Sequence, residues 1–318
     1  MNRAGPTSQN GWLRRYLGPI RLSIMPDSAI LPRMQLIDGK SLAATIRASV
    51  ADDIRGSGTH PKLAVLLVGD DAASHTYVRL KEKAAQEVGI ATEILKLPKD
   101  APDAELLAYI EKWNADPSVT AILVQLPLPD GHDTDAVIRA IDPAKDADGF
   151  HPENIAALQA GTATIIPPLH EGILRLIGQT DVPPNRTQAV IIANSDVFAD
   201  PLRQLLKTAG AFVQTFTPED LQPQVVREAG IIVVAVGKPR FLTRDLVKSG
   251  ACVIDVGTNR LSDGTLVGDA DAENLKDLPG WITPVPGGVG PMTIAMLLKN
   301  VSTLPSPLRR PRAGDAVA

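Results

Sequence analysis

From Met34 onward the sequence alternates short aliphatic, β-branched runs with longer stretches of helical period, and no other feature constrains the fold as strongly. The run at 120–126 reads Thr-Ala-Ile-Leu-Val-Gln-Leu, apolar on both faces, as a central parallel strand must be when helices cover both sides of its sheet. Two series of such units are present. The first predicts strands at 63–68, 91–97 and 120–126, with helices at about 40–55, 74–88 and 104–114. Leu42, Ile46, Val50 and Ile54 form one stripe on the first of these helices. The second series predicts strands at 189–193, 212–216, 231–236 and 252–256, all rich in β-branched residues. Between the two, residues 150–184 carry Pro167, Pro168, Pro183 and Pro184, which places a domain junction there. The expectation is a two-domain α/β protein.

Composition narrows the function classes. The chain has 318 residues, 44% of them hydrophobic, enough for two cored domains, and a net charge of −4 gives no global electrostatic case for nucleic acid or an anionic membrane. A single cysteine, Cys252, excludes an intramolecular disulfide and a cysteine-based zinc cage, so no metal is expected and a reducing, cytoplasmic setting fits. Residues 1–33 carry Arg3, Arg14, Arg15, Arg21 and Arg33 against Asp27 alone, interrupted by four prolines. They read as a disordered extension before a folded part opening at Met34, with a transit-type leader as the alternative. Residues 304–318, with Pro305, Pro307 and Pro311, read as a disordered tail.

Four segments carry candidate chemistry. On the helix near Ser74, Tyr77, Lys81, Ala84, Ala85 and Val88 share one side, whereas Arg79, Lys83, Gln86 and Glu87 share another. Lys81 therefore points inward, where it must snorkel, find a partner, or lose its proton to desolvation and become a general base. Gln125 is polar at the carboxyl end of an apolar strand, where open α/β sheets place ligands; a core glutamine bonded to a neighbouring loop is the plainer alternative. The loop Asp146-Ala147-Asp148-Gly149 offers carboxylates that either grip an amidine-like ligand edge or cap a turn. The segment 283–293 packs three glycines and three prolines into eleven residues, which fixes the backbone path and lets a flat ligand approach the main chain.

Six motifs, in order, carry a resemblance. They are Tyr77-Val78-x-x-Lys81-x-Lys83-Ala84, Ile122-Leu123-Val124-Gln125-Leu126-Pro127-Leu128-Pro129 and Lys145-Asp146-x-Asp148-Gly149-Phe150-His151-Pro152 in the first half of the chain. Val236-Gly237-Lys238-Pro239, Asp255-Val256-Gly257-x-Asn259-Arg260 and Pro284-Val285-Pro286-Gly287-Gly288-Val289-Gly290-Pro291-Met292-Thr293 follow. Together they resemble the bifunctional methylenetetrahydrofolate dehydrogenase/methenyltetrahydrofolate cyclohydrolase family. The resemblance implies a folate-binding catalytic domain of residues 34–168 with 288–303, a Rossmann NAD(P)-binding domain of 169–287, and a homodimer. It implies Lys81 as the catalytic lysine, Tyr77 near the pterin, Gln125 holding Lys81, and Asp148 anchoring the pterin's amino-pyrimidine ring. Val78, Val124, Leu126, Pro286, Gly287, Gly288, Val289 and Gly290 would line the tetrahydrofolate, and Ala193, Asn194, Ser195, Gly237 and Thr258 would meet the dinucleotide, NADP by resemblance.

The dinucleotide loop departs from the family pattern. Where the family usually has Gly-x-Ser-x-x-Val-Gly-x-Pro, this chain has Ala193-Asn194-Ser195-Asp196-Val197-Phe198-Ala199-Asp200-Pro201. A methyl group in place of either glycine strains the turn wherever φ is positive, and Asp196 and Asp200 bring negative charge toward the phosphate site. Asn194 stands where a basic residue often meets the ribose phosphate, and Pro167-Pro168-Leu169-His170 replaces the usual Pro-Cys-Thr-Pro. The expected function is oxidation of 5,10-methylenetetrahydrofolate and hydrolysis to 10-formyltetrahydrofolate. The altered loop leaves open NAD, no dinucleotide at all, a cyclohydrolase-only enzyme, or a noncatalytic folate-binding partner subunit.

Overall fold

The computed structural model describes residues 33–305, so the expected extension, apart from Arg33, and the tail beyond Pro305 lie outside the described residues. In chain order the elements are β1 (Met34–Leu36), α1 (Gly39–Ser57), β2 (Lys62–Val68), α2 (Ala72–Val88), β3 (Ala91–Leu97), α3 (Asp103–Ala115), β4 (Ala121–Val124), α4 (Thr134–Arg139), α5 (Pro152–Gln159) and α6 (Pro168–Ile177). They continue as β5 (Gln188–Ala193), α7 (Asp196–Thr208), β6 (Phe212–Phe216), α8 (Pro223–Val226), β7 (Ile231–Ala235), β8 (Ala251–Asp255), β9 (Asn259–Arg260), β10 (Leu266–Val267), α9 (Ala272–Leu275), β11 (Gly280–Ile282) and α10 (Val289–Thr303). Two compact units result. One holds Ala43–Pro168 and the described residues from Ile294; the other holds Leu169–Thr293 and the described residues up to Leu42.

The first unit has a parallel three-stranded sheet in the order β3-β2-β4. β2 is buried on both faces, and its two-residue period divides the interior. Leu63, Val65 and Leu67 pack with Val50, Ala85 and Leu297 of α1, α2 and α10, whereas Ala64, Leu66 and Val68 pack with Leu106, Ile110 and Trp113 of α3. Each fully buried leucine or isoleucine contributes about 1.5–3 kcal/mol, so these two faces supply most of the unit's driving force. β4 is shorter than the predicted 120–126. Gln125 still donates its N–H to the Leu66 carbonyl (2.8 Å), but Pro127 has no N–H with which to continue the ladder. A segment beside β4 extends the sheet: Ile122 N–H donates to Lys145 O, and Ala147 N–H to Ile122 O.

The second unit is a six-stranded, wholly parallel sheet in the order β1-β11-β8-β7-β5-β6. The chain leaves β5 in one direction to β6 and then returns to β7 on the other side of β5. The carboxyl ends of β5 and β7 therefore flank a topological switch point, where such sheets bind ligands. The architecture is the two-domain α/β fold expected, with a Rossmann-type sheet in this unit.

Boundaries differ from expectation in three places. Residues 34–42 join the six-stranded unit, because β1 pairs with β11, with Met34 opposite Gly280 and Leu36 opposite Ile282. The chain returns to the three-stranded unit at Ile294, so Pro286–Gly290 also belong to the six-stranded unit. Leu304, assigned to a tail, is buried in the core with Leu297 and Val301. Strands of three residues carry too little sequence to show a period, and their pairing is wholly non-local.

Candidate active site

α2 begins two residues earlier than the predicted Ser74, because Asp71 caps it: its carboxylate accepts the Ser74 N–H at 2.7 Å. Gly89 closes the helix at φ +86°, a left-handed conformation that glycine adopts without a Cβ penalty. Within these limits the helix buries Ser74, Val78, Lys81, Ala84, Ala85 and Val88, and leaves Lys83 exposed. Lys81 is thus inward, only 5% exposed. Its ammonium does not snorkel. Nζ donates to Gln125 Oε1 at 3.0 Å and lies 5.0 Å from the centre of the Tyr77 ring. Gln125 is oriented in turn, since its Nε2 donates to Leu126 O at 2.6 Å, which leaves Oε1 facing the lysine. Burial lowers the Lys81 pKa from its usual value, and the Asp148 carboxylate partly restores it.

The two carboxylates of the Asp146–Asp148 loop have separate tasks. Asp146 is buried and fully occupied: Oδ1 accepts Gly149 N–H (2.9 Å), while Oδ2 accepts His151 N–H (2.8 Å) and Asn154 Nδ2 (3.0 Å). It is the turn cap. Asp148 has no hydrogen-bond partner among the described residues; it keeps part of its surface open while protein surrounds its carboxyl group. Burial raises its pKa to about 6, against the Lys81 charge, which lowers it. Asp148 borders a small depression with Val124, Leu126, Ile138 and Phe150.

Two supports escaped the sequence reading. Lys145 Nζ donates to the carbonyls of Trp113, Asn114 and Asp116 at 2.8–2.9 Å, closing the end of α3. Asn300, on α10, donates from Nδ2 to Ala147 O (3.1 Å) and Ile166 O (2.9 Å), which fixes the main chain beside Asp148. A lone asparagine in an apolar helix was the available signal.

In the six-stranded unit, Gly287 has φ +118°, and a Cβ on Gly288 would lie 2.6 Å from the Thr283 Cβ. A Cβ on Gly39 would meet the Gly288 carbonyl at 2.0 Å, so these glycines are required by packing inside the unit. At the switch point, β5 ends at Ala193 and α7 starts at Asp196; Ser195 is its N-cap without a side-chain cap bond. The first-turn amides of this 13-residue helix remain available to an anion.

The expected strain is not there. Neither Ala193 nor Ala199 has positive φ, and Ala199 is a buried helical residue of α7, where a methyl group is favoured over hydrogen. Asp200 is paired with Arg203 one turn on (2.7 Å), so its charge is largely answered. Asn194 donates from Nδ2 to Val236 O at 2.7 Å and so bridges the ends of β5 and β7. Gly237 adopts φ +63° just past β7, and Thr258 is exposed after β8. His170 is wholly buried, packs its ring 5.3 Å from that of Phe198 and bonds the Phe198 carbonyl through Nε2 (2.8 Å). The altered junction motif and the altered loop thus pack on each other. Among the described residues, no helix is long and apolar enough to cross a membrane.

Comparison with known proteins identifies the family. Residues 37–148 match the catalytic domain, and residues 167–306 the NAD(P)-binding domain, of tetrahydrofolate dehydrogenase/cyclohydrolase. The chain is 48% identical over 268 residues to the bifunctional protein FolD of Acidiphilium cryptum, covering 84% of this chain and 96% of that relative. It is 46% identical over 283 residues to the protein of the same name from Campylobacter fetus, covering 88% and 99%. Among solved structures, the Campylobacter jejuni FolD methylenetetrahydrofolate dehydrogenase/cyclohydrolase superposes with a TM-score of 0.81 at 42% identity, covering 85% of this chain and 97% of that one. The Trypanosoma brucei enzyme, solved with NADP and an inhibitor, gives a TM-score of 0.81 at 32% identity, covering 86% and 98%.

Proposed function

The chain belongs to the tetrahydrofolate dehydrogenase/cyclohydrolase family, and from that premise we propose how its own residues carry the two reactions. The enzyme oxidises 5,10-methylenetetrahydrofolate to the methenyl cation with a dinucleotide and then hydrolyses the cation to 10-formyltetrahydrofolate. The alternatives of a cyclohydrolase alone or a noncatalytic subunit are not favoured: relatives covered over nearly their whole length are bifunctional, and Ala193 and Ala199 carry no positive-φ strain.

The observation that carries the assignment of roles is the buried Lys81–Gln125 pair beside an unengaged Asp148. Asp148 accepts the paired N–H donors of the pterin's amino-pyrimidine ring, with Val124, Leu126 and Val78 as apolar walls and Tyr77 against the ring. Lys81, its ammonium disfavoured by burial, takes a proton from the water that adds to the methenyl carbon; that water's oxygen forms the new C–O bond, the C–N5 bond then breaks, and N5 leaves with a proton. Gln125 cannot hold a charge at any working pH, so it orients Nζ without locking it as an ammonium.

The residues at the switch point fit a dinucleotide: uncapped amides open α7, and Ala193, Asn194, Ser195, Gly237 and Thr258 surround the carboxyl ends of β5, β7 and β8. When bound, it accepts the electron pair and hydrogen of the methylene bridge. NADP is the assignment, following the Trypanosoma brucei relative that holds it; a homodimer and a cytoplasmic setting follow from the family. Assaying the purified protein for both steps, with NAD and NADP separately, tests the reading. Cyclohydrolase turnover with no reduction of either dinucleotide would overturn the dehydrogenase half, and sedimentation as a monomer would overturn the homodimer.

A further inference from the structure

The six-stranded unit buries two carboxylates that no step above uses. Asp255 ends β8 and is 3% exposed; Asp269 follows β10 and is 0% exposed. Burying a carboxylate costs several kcal/mol unless its oxygens are satisfied, and here they are. Asp255 Oδ1 accepts the N–H groups of Gly257 and Asp269, both at 2.9 Å, and Oδ2 accepts Ala270 N–H at 2.8 Å. Asp255 therefore seats the main chain that carries Asp269. Asp269 in turn reaches across to two loops: Oδ2 accepts Val236 N–H (2.6 Å) and Gly237 N–H (2.9 Å), while Oδ1 accepts Asn259 Nδ2 (2.8 Å).

The sequence has made room for this arrangement. A Cβ on Gly257 would stand 2.3 Å from the Asp269 carboxyl carbon, and one on Gly268 would stand 1.8 Å from Asp255 Oδ2. Only glycine allows the two carboxylates to approach their donors. Both loops leave the carboxyl ends of the sheet, and the first borders the switch point, where Asn194 is bonded to Val236. Gly237 and Thr258 lie within them. Among the described residues, the Asp269 side chain ties Val236 and Gly237 after β7 to Asn259, which closes the loop after β8.

We propose that Asp269, seated by Asp255, is a positioning residue for the dinucleotide: it holds the loops after β7 and β8 in the form that receives the cofactor. This rests on the reading of the unit as an NAD(P) site. A carboxylate suits the task better than an amide, since both of its oxygens accept and all three facing groups donate.

The two activities of one chain make the test selective. Asp269→Asn keeps the shape but turns one acceptor into a donor that faces donors. It is expected to raise the KM for the dinucleotide, and its Kd measured by calorimetry, at least ten-fold, with cyclohydrolase turnover within about two-fold of wild type. Combining it with Asn259→Asp restores complementarity, because the new amide then donates to the new carboxylate while its oxygen keeps the Val236 and Gly237 N–H groups. Recovery of dinucleotide affinity in the double variant is the expected result, and a merely stabilising role would not produce it without a matching rise in Tm. If Asp269→Asn fails to fold, Asn259→Ala carries the test with an expected rise of about three-fold or more. Wild-type affinity in the single variants, or a parallel fall of both activities, overturns the proposal. Absence of dinucleotide binding in the wild type overturns the reading beneath it as well.

Discussion

On the proposed reading, the two units of this enzyme recognise their ligands with different parts of the polypeptide. The three-stranded unit uses side chains: Lys81, Gln125 and Asp148 each present one atom whose charge or hydrogen-bonding sense cannot be replaced. The six-stranded unit uses main chain, with helix amides and loop N–H groups held by buried carboxylates. A side-chain site fails when one residue changes. A main-chain site tolerates changed residues as long as their φ and ψ survive, which is why alanines at 193 and 199 leave the loop intact.

The sharpest way to break this contrast is at Lys81. Lys81→Met keeps the stem and deletes the amine, and cyclohydrolase turnover is expected to fall at least 100-fold, the scale of acid–base catalysis. Turnover within a few-fold of wild type would remove Lys81 from the reaction. Asp148→Asn comes next. Loss of a charged acceptor is expected to weaken tetrahydrofolate binding by about 1.5–3 kcal/mol, or roughly 10- to 150-fold, measured by calorimetry. An unchanged affinity with a lowered Tm would make Asp148 a turn cap like its neighbour Asp146.

Gln125→Glu sharpens the electrostatic side of the comparison. A carboxylate 3.0 Å from Nζ stabilises the ammonium, so the Lys81 pKa moves back up. The neutral amine is then reached only at higher pH, and the rising limb of the cyclohydrolase pH profile should move to higher pH, with reduced turnover at neutrality. A limb that stays in place means that another group sets it. The smallest effect is expected in the other unit. Ala199→Gly, the change that restores the family's glycine, should cost about 1–2 kcal/mol of stability from helix propensity and a lost buried methyl, with dinucleotide affinity unchanged. A gain in affinity would show that the methyl group does obstruct the cofactor.

Legibility in the sequence follows the same division. The inward position of Lys81 was readable because a helix period is a geometric rule, and Gln125 stood out as the polar member of an apolar strand. From the residues alone, which carboxylate of the Asp146–Asp148 loop caps the turn was not readable, since both are compatible with it; only the resemblance singled out Asp148, and the donors on Asp146 mark it as the cap. The four longer strands of the Rossmann-type sheet carry enough β-branched residues to be found, whereas β1 and β11, three residues each, exist because they pair with each other. The loop glycine argument went astray for a related reason. Strain there was conditional on positive φ at 193 or 199, and φ is a property of the turn, which a list of residues does not contain.

The routing of α1 and α10 has a consequence for the order of events during synthesis. Both helices begin in one unit and end in the other, so neither unit is a continuous stretch of chain. The core around β2 lacks Ile294, Leu297, Leu298 and Val301 until α10 is made, and β1 has no neighbour until Gly280–Ile282 appears. A ribosome that has delivered residues 43–168 has delivered a sheet with one face only partly covered, and β8, once made, still has the edge that awaits β11 open. Both units are therefore completed together, by the same final 25 or so described residues, and vectorial domain-by-domain folding, the usual route for two-domain chains, is closed to this one.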